Sequence, residues 1–170
     1  MPRLEIIKIG HPNLAKMSAP IAAIDAEIRR LAEDMIETMH AAPGLGLSAP
    51  QVNVNRRMIT VDVSVGEKAS DLIVLINPEI VFREGKLIRE EGCLSVPEIF
   101  EKVTRPQKVR VKGLELSGRE RTIEAEDLLA RVFCHEIDHL DGKLFVDKLS
   151  PLKRKLIKKK LIKKDGAVEL

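Results

Sequence analysis

The chain has 170 residues, 44% of them hydrophobic and 32% charged, with a formal net charge of +3 at pH 7. That length suits one domain with a real core, and no apolar run approaches the roughly 18–20 residues of a membrane-spanning helix. Residues 151–170 hold eight Lys and Arg against Asp165 and Glu169, a net of +6, so the first 150 residues sum to −3 and the basic character belongs to the tail. With four Phe and neither Trp nor Tyr, the core must be aliphatic. The N-terminal MPRLEIIKIG mixes charge into its apolar residues and has no signal-peptide h-region, and there are two cysteines, Cys93 and Cys134. A cytoplasmic protein with reduced thiols is therefore expected.

In chain order, LEIIKIG reads as a short extended segment ended by Gly10. From Asp25 to His40, the residues Ile28, Leu31, Ala32, Met35, Ile36 and Met39 recur at helical spacing, with Asp25 as N-cap. APGLGLSAP breaks the helix with two Gly and two Pro. RMITVDV and DLIVLINP read as strands, and EIVFREGKLIREEG as a hairpin or two short strands around its central Glu-Gly. QKVRVKGLELSGRERTIEA alternates and carries a Ser-Gly turn, a second hairpin. Residues 125–140 read as a helix with Leu128, Leu129, Val132 and Phe133 apolar. LSPLKRKLIKKKLIKK is another, with Ser150 as N-cap and Pro151 in first position. Its stripe of Leu152, Leu156, Ile157 and Leu161 is set among Lys and Arg. Strands in the middle and helices around them give an α+β class. The expected division is a catalytic domain over 1–150 and a basic helix and tail over 151–170, part of the same unit.

The sequence FCHEIDHLDG contains His-Glu-X-X-His. Positions i and i+4 share one helix face, so His135 and His139 can offer both imidazoles to one cation, with Glu136 placed as general base to an activated water. An open catalytic site needs a third protein ligand. Asp141 is too close along the chain to reach back. Asp147 can, and Glu169 sits in the tail. Upstream, Cys93 in EEGCLSVPE would give a soft thiolate beside the permissive Gly92. Cys134, adjoining His135, points about 100° away around the helix and reads as a small core thiol.

Three separated segments, GLGLSAPQ (44–51), EGCLS (91–95) and HEIDH (135–139), together resemble the signature motifs of the peptide deformylase family, in order and in spacing. The likeness runs from about residue 3 to residue 160. It implies antiparallel and mixed sheets packed around a central helix carrying HEIDH, with one helix before and a basic one after. It also implies a metal-dependent hydrolase that removes the formyl group from the N-terminal formylmethionine of new polypeptides. Cys93, His135 and His139 would be the metal ligands and Glu136 the general acid and base. Gln51 and the backbone N–H of Leu94 would steady the oxyanion. Leu45, Gly46 and Gly92 would lie along the substrate backbone, and Leu128 and Val132 would line the methionine pocket.

By the same resemblance the ion is Fe2+, with Zn2+, Ni2+ or Co2+ able to replace it. The partners are N-formylmethionyl nascent peptides and, through the basic C-terminal helix, the ribosome. A monomer without membrane attachment is expected. The helix has no aromatic residues for base stacking, so contact with RNA would be electrostatic. Ser48 stands where alanine is common, and Arg89 near the pocket mouth where an apolar residue is usual.

Overall fold

The computed structural model describes residues 3–165, and side chains through residue 161. Glu169 lies outside the described residues. Helix α1 (Ala26–Ala41) starts at Asp25, whose carboxylate accepts the Ile28 N–H at 3.0 Å, as the N-cap reading requires. Seven strands follow: β1 (Gly46–Ser48), β2 (Met58–Val61), β3 (Ile73–Glu84), β4 (Leu87–Cys93), β5 (Val96–Arg105), β6 (Lys108–Leu114) and β7 (Glu120–Glu126). Helix α2 (Asp127–Leu140) carries HEIDH, and α3 (Pro151–Asp165) carries the basic sequence. The Ser150 hydroxyl accepts the Lys153 N–H at 3.2 Å, capping α3 as its sequence predicts.

Five strands form one antiparallel sheet in the order β1-β2-β3-β6-β7, and β4 with β5 forms a separate two-stranded sheet. The β6–β7 hairpin is as expected, with Gly118 at φ 86° in its turn. Of the two readings of EIVFREGKLIREEG, the pair of strands is found and the hairpin is not: β3 and β4 are separated by Gly85, at φ 70°, and Lys86, but β3 pairs with β6 and β4 with β5. Local alternation marks both strands and says nothing of their partners. LEIIKIG is extended without joining a sheet. Its Ile7 N–H donates to the Gln51 carbonyl and its Ile9 N–H to the Ser95 carbonyl, each at 2.8 Å. It thus laces the first and second motifs together.

Strand β2 is buried on both faces, and the two-residue strand period sorts its side chains. Ile59 and Val61, with Leu75, Val109 and Val111, pack against Phe133, Ile137 and Leu140 of α2. Met58 and Leu47, with Ile76, pack against Ile28, Ala32, Met35 and Met39 of α1. The sheet is therefore sandwiched between the two helices. A third cluster joins Val96, Ile99 and Val103 of β5 to Phe145, Val146, Ile157 and Leu161. Only half of the expected α3 stripe packs: Ile157 and Leu161 are buried, whereas Leu152 and Leu156 are exposed.

Candidate metal centre and active-site cleft

Helix α2 buries two faces. Ala130, Phe133, Ile137 and Leu140 meet the large sheet, while His135 and His139 meet Glu91 and Cys93 of β4, in the β4–β5 hairpin, and Glu136 lies against Gly46 of β1. The helix end is held from outside: Leu140's carbonyl accepts the Ser18 N–H (2.8 Å) and an Arg57 guanidinium N–H (3.0 Å), and Asp141 pairs with Arg57 at 3.0 Å. On the hairpin, Cys93 pairs with Val96, so Leu94 and Ser95 are a two-residue turn and the thiol sits at its edge. Cys93 Sγ lies 3.4 Å from His139 Nε2, which lies 3.2 Å from His135 Nε2. The three donor atoms fall within 4.8 Å of one another. Metal bonds of about 2.0–2.3 Å at tetrahedral angles hold N and S donors about 3.3–3.6 Å apart, close to both contacts of His139 Nε2, so the trio could share one ion.

Asp147, the downstream alternative, instead accepts the Leu144 N–H at 2.8 Å. Cys134 is buried among the α2 core residues, and burial pushes its thiol up, as suits a packing role.

Sequence reading missed the charge cluster behind the histidines. Glu91 Oε2 accepts from His135 Nδ1 at 2.7 Å, which leaves Nε2 free to ligate. Glu91 also takes two hydrogen bonds from Arg105 (2.6 and 3.1 Å) and one from Arg131 (3.0 Å). Arg131 donates further to the carbonyls of Leu87 and Val103, and Arg105 pairs with Asp138. Burial would push the Glu91 carboxyl up, but the hydrogen bonds from His135 and Arg105 outweigh it and hold the carboxyl far below its usual range. The available signal was position: Glu91 and Cys93 are two apart on a strand, and strands put such residues on one face.

Glu136 is 3% exposed, and its Oε2 has no hydrogen-bond partner among the described residues. Burial pushes its carboxyl up to about 7, a value suited to passing a proton near neutrality. Burial lowers His139, and the neighbouring His135 lowers it further, favouring the neutral imidazole, the form able to bind a metal. Gln51 sits in the short 3-10 turn after β1. Its Oε1 accepts from both the Ser48 N–H and the Ser48 hydroxyl at 3.0 Å. That orients Nε2 toward Ser95 Oγ (3.2 Å) and Cys93 Sγ (3.6 Å). The Ser48 departure thus adds a bond that alanine would lack.

These groups border a cleft of about 670 Å³ that Leu45, Gly46, Gln51, Gly92, Cys93, Leu94, Leu128, Val132, His135 and Glu136 all line. Every anticipated site residue except the deeper His139 reaches it. Arg89 does not, and its guanidinium donates to the Ile88 carbonyl at 2.9 Å. The two glycines have a steric reason beyond close passage of a peptide. A Cβ on Gly46 would stand 2.8 Å from Glu136 Cγ, and one on Gly92 would stand 2.5 Å from the Phe100 ring.

The polypeptide deformylase family model matches residues 3–155. The peptide deformylase of Nitrosococcus oceani is 50% identical over 161 residues, 95% of each chain. That of Thermodesulfovibrio yellowstonii is 52% identical over 157 residues, 92% of this chain and 95% of its own. A crystal structure of a peptide deformylase from Legionella pneumophila superposes with a TM-score of 0.90 at 43% identity, covering 95% of both chains. One from Ehrlichia chaffeensis, in complex with actinonin, gives 0.89 at 39% identity over 97% of this chain and 99% of that one. With family model, relatives and fold in agreement over nearly its whole length, the chain belongs to the polypeptide deformylase family.

Proposed function

We propose that Cys93, His135 and His139 hold the divalent cation with which this deformylase removes the formyl group from the N-terminal formylmethionine of nascent polypeptides. The observation that carries this assignment is the convergence of the three donors within 4.8 Å, beside a buried carboxylate and an oriented amide. A cation bound there supplies an electrophile and a water that ionises near neutral pH.

The remaining chemistry falls to the chain's own groups. Glu136 takes the proton from the attacking water as its oxygen adds to the formyl carbon. Gln51 Nε2 and the Leu94 backbone N–H donate to the oxyanion, and losing one such donor costs about 10²–10³ in rate. Glu136 then delivers the proton to the leaving nitrogen, the C–N bond breaks, and formate and a free amine depart. Leu45, Gly46 and Gly92 flank the peptide backbone, and Leu128 and Val132 face the methionine side chain. Glu91 acts through His135, fixing its tautomer and its ring.

The physiological ion in this reading is Fe2+, with Zn2+, Ni2+ or Co2+ able to occupy the same donors. Residues 1–150 form the catalytic unit, acting as a cytoplasmic monomer, and residues 151–170 a basic tail of that unit. Burial of Ile157 and Leu161 in the β5 cluster supports the common unit. The lysines of α3 reach ribosomal RNA phosphates. No helix among the described residues is long and apolar enough to cross a membrane.

The test is amine release from a formyl-Met tripeptide and its acetyl-Met twin, by protein purified without oxygen. Rapid release from the formyl peptide alone is the expected result. Release from both would replace this reading with a broad amidase, and silence from metal-loaded protein would end it.

A further inference from the structure

Beyond the cleft, a second cavity of about 210 Å³ opens between β5 and α3. The two share one wall, the side chain of Phe100. Phe100 is 62% exposed, and its ring lies against the Gly92 backbone, one residue from the Cys93 thiol. On the far side of the ring, Leu156 is 56% exposed, whereas Ile157 is buried. The rim is cationic: Lys153 pairs with Glu101 at 3.2 Å, and Lys160 makes no ion pair among the described residues. Leu128, at the cleft mouth, is 50% exposed. The exposed side chains Leu128, Phe100 and Leu156 thus mark an apolar path from the cleft to the basic helix. Single exposed apolar residues are ordinary, but these border two cavities with a common wall.

We propose that the β5–α3 cavity is a subsite for the part of the substrate downstream of its formylmethionine, selecting an apolar residue followed by an acidic one. The proposal rests on the deformylase reading, which places the methionine beside Val132. An extended peptide advances roughly 3.3 Å per residue, and one leaving the cleft toward α3 crosses the Phe100 ring that the two cavities share. The fourth residue then lies on Phe100, Leu156 and Ile157, and the fifth faces Lys160. Discrimination is modest, because an exposed ion pair is screened.

The experiment compares kcat/KM of the metal-loaded protein on formyl-Met-Ala, formyl-Met-Ala-Ser-Leu-Glu and formyl-Met-Ala-Ser-Leu-Lys. Wild type is expected to favour the Glu pentapeptide over the Lys pentapeptide by about three- to fivefold, chiefly through KM. Lys160→Glu removes or inverts that ratio, and Leu156→Ser lowers both pentapeptides toward the dipeptide. Neither changes formyl-Met-Ala. Lys158→Glu, on the same helix outside the cavity, keeps the wild-type ratio. Equal turnover of the two pentapeptides by wild type, or a ratio that survives Lys160→Glu, would overturn the subsite. An equal loss in Lys158→Glu would overturn it in favour of a diffuse field of the helix. Failure on formyl-Met-Ala itself would sink the activity, and the subsite with it.

Discussion

Helices α2 and α3 stand eleven positions apart in the chain and use charge in opposite ways. On α2, Arg131, His135 and Asp138 face inward, and each meets a partner: Glu91 for the first two, Arg105 for the third. On α3, the charged side chains described are exposed, and only Lys153 is paired. A buried charge is costly unless partners surround it, so those on α2 are fixed in place and can orient a ligand. Apart from Lys153 and Lys160 at the cavity rim, the charges of α3 are hydrated and suited to a field more than to a geometry.

The contrast is sharpest at Glu136. Replacing it by alanine should keep the fold and bound metal while lowering kcat by about 10³-fold or more, within reach of what a positioned acid–base group and its lost proton shuttle supply. A circular dichroism melt and metal analysis alongside the rate would separate chemistry from folding. Next in size is Glu91→Ala, which strips His135, Arg105 and Arg131 of a common partner. About 3–5 kcal/mol of stability should go, by denaturant titration, together with about 10–100-fold in metal affinity, by competition with a chelator.

Asp62 carries the same lesson away from the cleft. It is buried and accepts from Ser64, Gly66 and His40. Burial raises its carboxyl, but the hydrogen bonds from Ser64 and His40 prevail and hold it below the ordinary 3.8. A depressed carboxyl contributes stability that is complete above the unfolded-state value and is lost as pH falls through the folded one. Asp62→Asn should therefore narrow the stability difference between pH 7 and pH 3, measured by urea unfolding at each. The smallest effect belongs to α3: Lys158→Glu with Lys159→Glu should change turnover of a formyl-Met tripeptide less than about twofold. A large loss there would erase the distinction between the two helices.

What could be read in advance was whatever depends on neighbours along the chain. Asp25 caps α1 and Ser150 caps α3 because capping is decided within three residues. His135 and His139 share a face because helices repeat. Three short motifs then located Cys93 and Gln51 through their resemblance to a family. The pairing of β4 with β5, and not with β3, was hidden because alternation marks a strand and not its neighbour. Glu91 was hidden because its partners come from β5 and α2. Half of the α3 stripe was misjudged because a helix lying on one small sheet covers only Ile157 and Leu161.

The Cys93 thiol stands at the end of β4, beside a two-residue turn, and the His139 imidazole on a helix, 46 positions apart in the chain. An ion gripping both would be a removable cross-link between the small sheet and helix α2, closing a long loop whose ends are entropically costly to join. Binding free energy at such a place is also folding free energy. Oxidation of the thiol would therefore do two things at once, silencing the chemistry and unfastening the hairpin from the helix.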